Sequence, residues 1–323
     1  MVASGPERMP PFPVADYRLS FVQRLRSSWA SARGFIVASS SVKFLAFDAE
    51  SVADGDLVAK VHYPGQSLSG DEAISRYRAE LIEKTGSDFI PYTFQIPVSV
   101  VVAKIDASYA LVDLVALDDP EFRPHVITEH FWRGWEGYRR PTLVTFNGRT
   151  FDMPLLELAA FRYGISLPGW FNIEDKNWEQ HRSRYNLHAH LDLHDVLTNF
   201  GASRFNGGLN LAANLLGKPG KMDVQGCMVQ DLYHEGKFAE INDYCRCDVL
   251  DTYFVFLRTS VLLGRISLER EQQLVEQTKG WLTERASDMA VFRHYLDNWG
   301  DWRNPRAKNG SDVSSKDQAA DAG

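Results

Sequence analysis

Three groups of residues in this chain combine types and spacing that could do chemistry. The first is Asp48 and Glu50 in "FLAFDAES" (44–51), two carboxylates that close an apolar run. Alternate residues of a strand point to one face, so the two acids project side by side. Paired in this way they repel and lose hydration, and they suit a divalent cation that takes hard oxygen ligands. The second is "TLVTFNGRTFDMP" (142–154). A buried strand ends at Asn147, Gly148 permits a tight turn, and Asp152 opens a helix. Capping and the helix dipole explain an Asp there. Asn147 and Asp152 also fall at the carboxyl end of a sheet strand, where open α/β sheets bind ligands. Phe151 reads either as a surface on which a base stacks or as core. The third is "YCRCD" (244–248). Tyr244 and Asp248 are four apart on a helix and face the same way, and a phenol beside a metal-binding carboxylate can orient an attacking water.

Each pattern has a bland copy. Asp119-Pro120-Glu121 repeats the first in a turn. Tyr109 and Asp113 repeat the third on an expected strand, where four residues span ~13 Å and cannot form one site. Asp251 shares a helix face with Asp248 and is a minor competitor.

The elements that must position these groups alternate from Val42 onward. "VKFLAF" (42–47) reads as the first strand. "FQIPVSVVVAKI" and "YALVDLVAL", split by "DAS", read as a hairpin. A helix is expected over 125–138, a strand over 142–147, a helix over 152–163 and a short strand near 189–192. Helices follow over about 208–216, 227–235 and 238–262, with further pieces to about 298. The excursion 53–94 has room for a helix at 71–85. The economical architecture is one mixed sheet flanked by helices, with a helical C-terminal part.

Residues 1–40 are Pro-rich and then Arg- and Ser-rich, and we expect a poorly ordered N-terminal extension there. A single domain is expected over 41–299 and a disordered polar tail over 300–323. The 323 residues carry a formal charge of −7, with 44% hydrophobic and 24% charged residues. This is a globular composition, and the chain as a whole is not an electrostatic clamp for nucleic acid. No run approaches the ~18 apolar residues of a membrane span, so no membrane partner is expected. Cys227, Cys245 and Cys247 are too few for a disulfide framework, which fits a cytoplasmic setting.

The order of the three groups resembles one known pattern. Asp-x-Glu on a first strand, Asn-x-x-x-Phe-Asp at a strand-to-helix turn and Tyr-x-x-x-Asp on a late helix resemble the DEDDy class of 3′–5′ exonucleases. "PYTFQIPVSV", "NGRTFDMPLL", "RYNLHAHLDLHDVL", "LLGKPGKM" and "DYCRCDVLDTYFVFLR" narrow this to stand-alone exonucleases related to the proofreading domain of family B DNA polymerases. The resemblance covers about residues 42–285. It departs at Ala49 and Ser51, where the family usually has Ile and Thr. It implies an RNase H-like α/β fold with a mixed five-stranded sheet.

It also implies removal of nucleoside 5′-monophosphates from single-stranded 3′ ends, DNA favoured, with two divalent cations, Mg²⁺ or Mn²⁺. The implied ligands are Asp48, Glu50, Asp152 and Asp248, with Tyr244 aiming a water for two-metal hydrolysis. No polymerase domain is expected in the residues after Asp248.

Substrate contacts are less constrained. Asn147 and Phe151 flank the second group, and Arg149 could meet a phosphate. Lys218 and Lys221 in "GKPGK" equally read as a solvated surface. His188, His190 and His194 admit a zinc reading, against a supporting role for His190 and Asp192. Two rival functions remain: an RNA-directed exonuclease on the same scaffold, and a catalytically silent nucleic-acid-binding module.

Overall fold

A computed structural model describes residues 42–220 and 226–306. Its elements run β1 (Val42–Ala53), α1 (Gly55–His62), α2 (Gly70–Thr85), β2 (Gln95–Asp106), β3 (Leu111–Ala116), α3 (Pro124–Gly137), β4 (Thr142–Thr145), α4 (Asp152–Tyr163) and β5 (His190–Asp192). Helices then dominate: α5 (Leu193–Thr198), α6 (Gly208–Asn214), α7 (Val229–His234), α8 (Phe238–Leu262), α9 (Leu268–Arg285) and α10 (Ala290–Asp297). The sheet order is β3-β2-β1-β4-β5. β1, β2 and β3 pair antiparallel, whereas β4 joins β1, and β5 joins β4, in parallel. This mixed five-stranded sheet with helices around it is the RNase H-like architecture.

The alternation along β1 assigns its two faces. Phe44 and Ala46 pack with Val249, Leu250 and Phe254 of α8, while Leu45, Phe47 and Ala49 pack with Trp132 and Trp135 of α3 and Leu155 and Leu156 of α4. Asp48 and Glu50 continue the even-numbered series and therefore face α8. That helix is buried along most of its length, because its residues meet the sheet on one side and α9 and α10 on the other. The large rings of the α3 layer also satisfy their polar ends. The Trp132 indole donates to Leu156 O at 3.2 Å and that of Trp135 to Pro141 O at 3.1 Å.

Several expected boundaries shift. β1 runs on to Ala53, since its antiparallel pairing with β2 continues to Gln95. α1 went unread because it is only eight residues long and sits in the excursion 53–94. Its start is fixed by Asp54, whose carboxylate accepts from Leu57 N at 3.1 Å. α2 matches its expected range and begins with a capping box between Ser69 and Glu72. Tyr109 is not on a strand: its φ is 70° and it turns the hairpin, so β3 begins at Leu111. β4 stops at Thr145 because Asn147 adopts a left-handed φ of 65°.

The expected extension 1–40, the tail beyond Arg306 and Lys221 lie outside the described residues. Within 300–306, Gly300 N donates to Gly217 O at 2.9 Å, and Trp302 lies under the Arg258 guanidinium at 4.1 Å.

Candidate active site

The pairing of β1 with β4 ends at Ala46–Val144, so β1 continues past its parallel neighbour with that edge open. The opening is the candidate site. Asp48 and Glu50 stand on it, facing α8, and α4 begins beside it. The backbone N–H of Ala49 on that edge is satisfied by Asp152, whose Oδ1 accepts it at 3.1 Å. Asp152 is thus held at the first helical residue of α4 and against the edge of β1 at once.

Asp152 and Asp248 are 6% and 7% exposed, and Glu50 is 9% exposed. Burial is the largest force on Asp152, and with the negative charges of Asp192 and Asp248 it pushes the carboxyl up to about 7. The Tyr244 phenol is raised too, first by burial and then by Asp248, Glu50 and Asp48, and it donates a hydrogen bond to Asp248. These mutual effects put the four carboxylates and the phenol in one electrostatic neighbourhood. The donor set is oxygen-rich and negatively charged, and it fits hard divalent cations.

Cys245 adds a member that spacing did not reveal. Its Sγ lies 3.9 Å from Asp48 Oδ2 and donates to Asp48 O at 3.4 Å. Ligand atoms of Asp48, Glu50 and Cys245 all lie within 4.8 Å of one another. The signal was present in "YCRCD", where Cys245 sits between two site residues, but a helix position next to Tyr244 need not share its face. The thiol is fully buried, and burial followed by the Asp48 and Glu50 charges holds its pKa well above the ordinary value. Cys247 is also buried and raised. We therefore expect iodoacetamide at neutral pH to leave both unmodified in the native protein and to label both in denaturant, as read by peptide mapping. Rapid native labelling of Cys245 would contradict this packing.

The loop 146–151 is set by the sheet's edge strand. Asp192 accepts from Asn147 N at 2.8 Å, Arg149 N at 2.9 Å and His194 N at 3.0 Å. Gly148 is required by close approach, since a Cβ there would lie 2.6 Å from Thr145 Cβ. Asn147 is exposed beside the opening. Phe151 is half-buried, 5.8 Å from the ring of Phe89, which is 59% exposed; Phe89 is a second aromatic that the sequence reading missed.

Other sequence candidates go elsewhere. Arg149 does not face the carboxylates: its Nε donates to Asp195 at 2.9 Å and its NH2 to His190 O at 3.0 Å, so it braces the loop. Lys218 is neither a phosphate hook nor a solvated surface. It is 5% exposed, its ammonium lies 3.9 Å from the Trp299 ring, and burial lowers its pKa to about 8. The imidazoles disperse as well. His190 Nε2 meets the Thr145 hydroxyl at 2.8 Å, His194 packs edge-on to Phe146, and His188 is exposed. The bland copies of the motifs have structural partners: Asp119 pairs with Arg246, Asp113 with Lys104, and Asp251 accepts from the Tyr295 hydroxyl at 2.6 Å.

A family model described as a predicted 3′–5′ exonuclease related to the exonuclease domain of PolB matches residues 87–299, more than half of the chain. The chain belongs to that family. None of the curated proteins matches it. The matched stretch of this exonuclease contains Asp152, Tyr244 and Asp248, while Asp48 and Glu50 lie ahead of it and join the site through β1. The family implies a nucleic acid substrate, and exonuclease domains of this kind generally use divalent metals. Among the described residues, no helix is long and apolar enough to cross a membrane.

Proposed function

We propose that this chain is a metal-dependent 3′–5′ exonuclease that releases nucleoside 5′-monophosphates from unpaired ends, DNA in preference to RNA. The observation that carries the reading is the convergence of Asp48, Glu50, Asp152, Asp248 and Tyr244 from β1, α4 and α8 at one opening in the sheet. We read residues 41–299 as the catalytic domain, working in a cytoplasmic setting.

Asp48, Glu50 and Asp248 would hold one divalent cation and Asp48 with Asp152 a second, Mg²⁺ or Mn²⁺. Bound there, the pair would supply charge neutralisation at the phosphodiester and a water of lowered pKa. The protein's own contributions are positional. Tyr244 reaches the carboxylates through its hydroxyl, and that hydroxyl can hold the attacking water in line with the scissile bond. Asp152 is kept in place by Ala49 N–H, so the carboxylate from α4 stays in register with those on β1. Asn147 and the Phe89–Phe151 pair border the opening, where a terminal base can stack.

The test is a time course on 5′-labelled single-stranded DNA and RNA of matched sequence in Mg²⁺, Mn²⁺ and EDTA. The reading expects a ladder that shortens from the 3′ end, disappears in EDTA and advances faster on DNA. Intact label under all conditions would sink it and favour a silent binding module. Tyr244→Phe keeps the ring and removes the hydroxyl, and it should lower kcat by about a hundredfold with KM within about twofold. A change confined to KM would place the phenol in substrate binding instead.

A further inference from the structure

Between the end of α4 and the start of β5 the chain makes an excursion, residues 164–189, that the catalytic reading does not use. It encloses a cavity of about 340 Å³ whose lining includes Phe171, Ile173, Asn177, Arg182, Arg184 and Tyr185, and no carboxylate. The floor is the buried Trp170, whose indole donates to Glu157 Oε1 at 2.7 Å. Glu157 also grips Arg182 through both oxygens, at 2.8–3.0 Å, which fixes that wall to α4. Other lining residues are open to solvent: Tyr185 is 68% and Ile173 72% exposed.

Cations lie over rings three times in this short stretch. Arg182 is 5.4 Å from the Phe171 ring, Arg184 5.5 Å from Tyr185 and Lys176 5.6 Å from Trp178, itself 68% exposed. Among the described residues Arg184 has no carboxylate partner, and its NH2 reaches only Phe200 O at 3.4 Å. Exposed rings flanked by guanidinium groups are poor solvent-facing surface and good stacking surface. The volume is at the lower end for ligand pockets and suits one nucleotide. A base would lie on Tyr185 or Phe171, its edge would meet the Asn177 amide, and its phosphate would meet Arg184.

We infer that this cavity holds an upstream nucleotide of the single strand whose 3′ end is being trimmed. The inference rests on the exonuclease reading for the identity of the strand. α4 starts at Asp152 in the site, and Glu157, which ties the cavity's wall to that helix, follows five residues later. The axial span is ~8 Å, just over two stacked nucleotides at ~3.4 Å each. A strand must therefore exceed about two nucleotides to occupy both places.

The test uses the full chain in EDTA and fluorescence anisotropy with 5′-fluorescein oligothymidylates of about two and about twelve nucleotides. Tyr185→Ala and, separately, Arg184→Glu change exposed side chains whose ring and hydrogen-bond contacts are to Phe200, and a far-UV circular dichroism melt checks that each variant is folded. Each should weaken the long oligomer by about tenfold and the short one by less than twofold. Equal weakening of both lengths, or no weakening of the long one, overturns the inference; the latter would fit a protein partner on this face. Removal of the Tyr185-dependent binding by millimolar thymidine monophosphate also overturns it, because the cavity would then take free nucleotides. Hydrolysis of the short oligomer in Mn²⁺ is read alongside and should not change in either variant. Loss of the long-oligomer advantage in the variants without any hydrolysis by the wild type would retire the exonuclease reading, and with it the trimmed strand, while supporting the cavity as a single-strand subsite.

Discussion

Asp48→Ala should lower the rate of 3′-end shortening by about a thousandfold while the protein stays folded. In the proposed mechanism Asp48 is the carboxylate that both cations would share. It shares the β1 face with Glu50, it lies within ligand distance of Cys245, and its charge is felt by Tyr244. Losing the group that would bridge two cations removes several kcal/mol of transition-state stabilisation, and ~4 kcal/mol corresponds to about three powers of ten. The fold should tolerate the change for local reasons. Asp48 is only half-buried, so little cavity is created, and the Cys245 thiol donates to its backbone carbonyl, which alanine keeps. Initial rates on a 5′-labelled strand and a far-UV circular dichroism melt check both halves. A variant that retains more than about a tenth of the wild-type rate would remove Asp48 from the mechanism.

The legibility of this site from sequence follows from what spacing encodes. Period-two alternation places Asp48 and Glu50 on one face of β1, and period-four spacing places Tyr244 and Asp248 on one face of α8; both statements concern a single element. The hairpin and the alternation of strands with helices made a mixed sheet readable, and the resemblance supplied its five strands. What spacing does not encode is which distant element covers a given side chain. Lys218 looked solvated in "GKPGK" because Phe254 and Trp299, the rings that bury it, come from α8 and from beyond α10. Arg149 looked like a phosphate contact because Asp195 is far along the chain. Cys245 looked like background because its partner is a strand almost two hundred residues earlier. β1 was read too short since its last residues are held by pairing with β2, not by their own apolar pattern.

Asp152→Asn should abolish trimming and yet raise the melting temperature of the protein in EDTA. The native carboxyl sits at about 7 against an ordinary value of 3.8, with burial the leading cause. Between those values the folded state holds more protons than the unfolded one, so this group's contribution to stability falls as pH rises from about 4 to about 7. Above that window the full penalty is in place, and the gap in pKa bounds it at roughly 4 kcal/mol. Asparagine removes the charge and keeps an oxygen for Ala49 N–H. Replacing one carboxylate oxygen by an amide NH2 changes the local hydrogen bonding, so about half of the bound is expected, or ~4–8 °C at alkaline pH.

The comparison must be between variant and wild type, because other buried groups titrate in the opposite sense. His190 is held well below its ordinary value by burial and Arg149, so it adds stability as pH rises through about 6.5. Its contribution cancels in the difference. The gain from Asp152→Asn should therefore be small near pH 4, grow through pH 5–7 and level off above about 8. In Mn²⁺ the ranking should reverse, since a cation that binds only the folded wild type stabilises it in proportion to RT ln(1 + [L]/Kd), and the variant lacks one of its ligands. A gain independent of pH would mean that Asp152 is not the strained carboxylate of this site, and equal Mn²⁺ stabilisation of both proteins would mean that it is not a ligand.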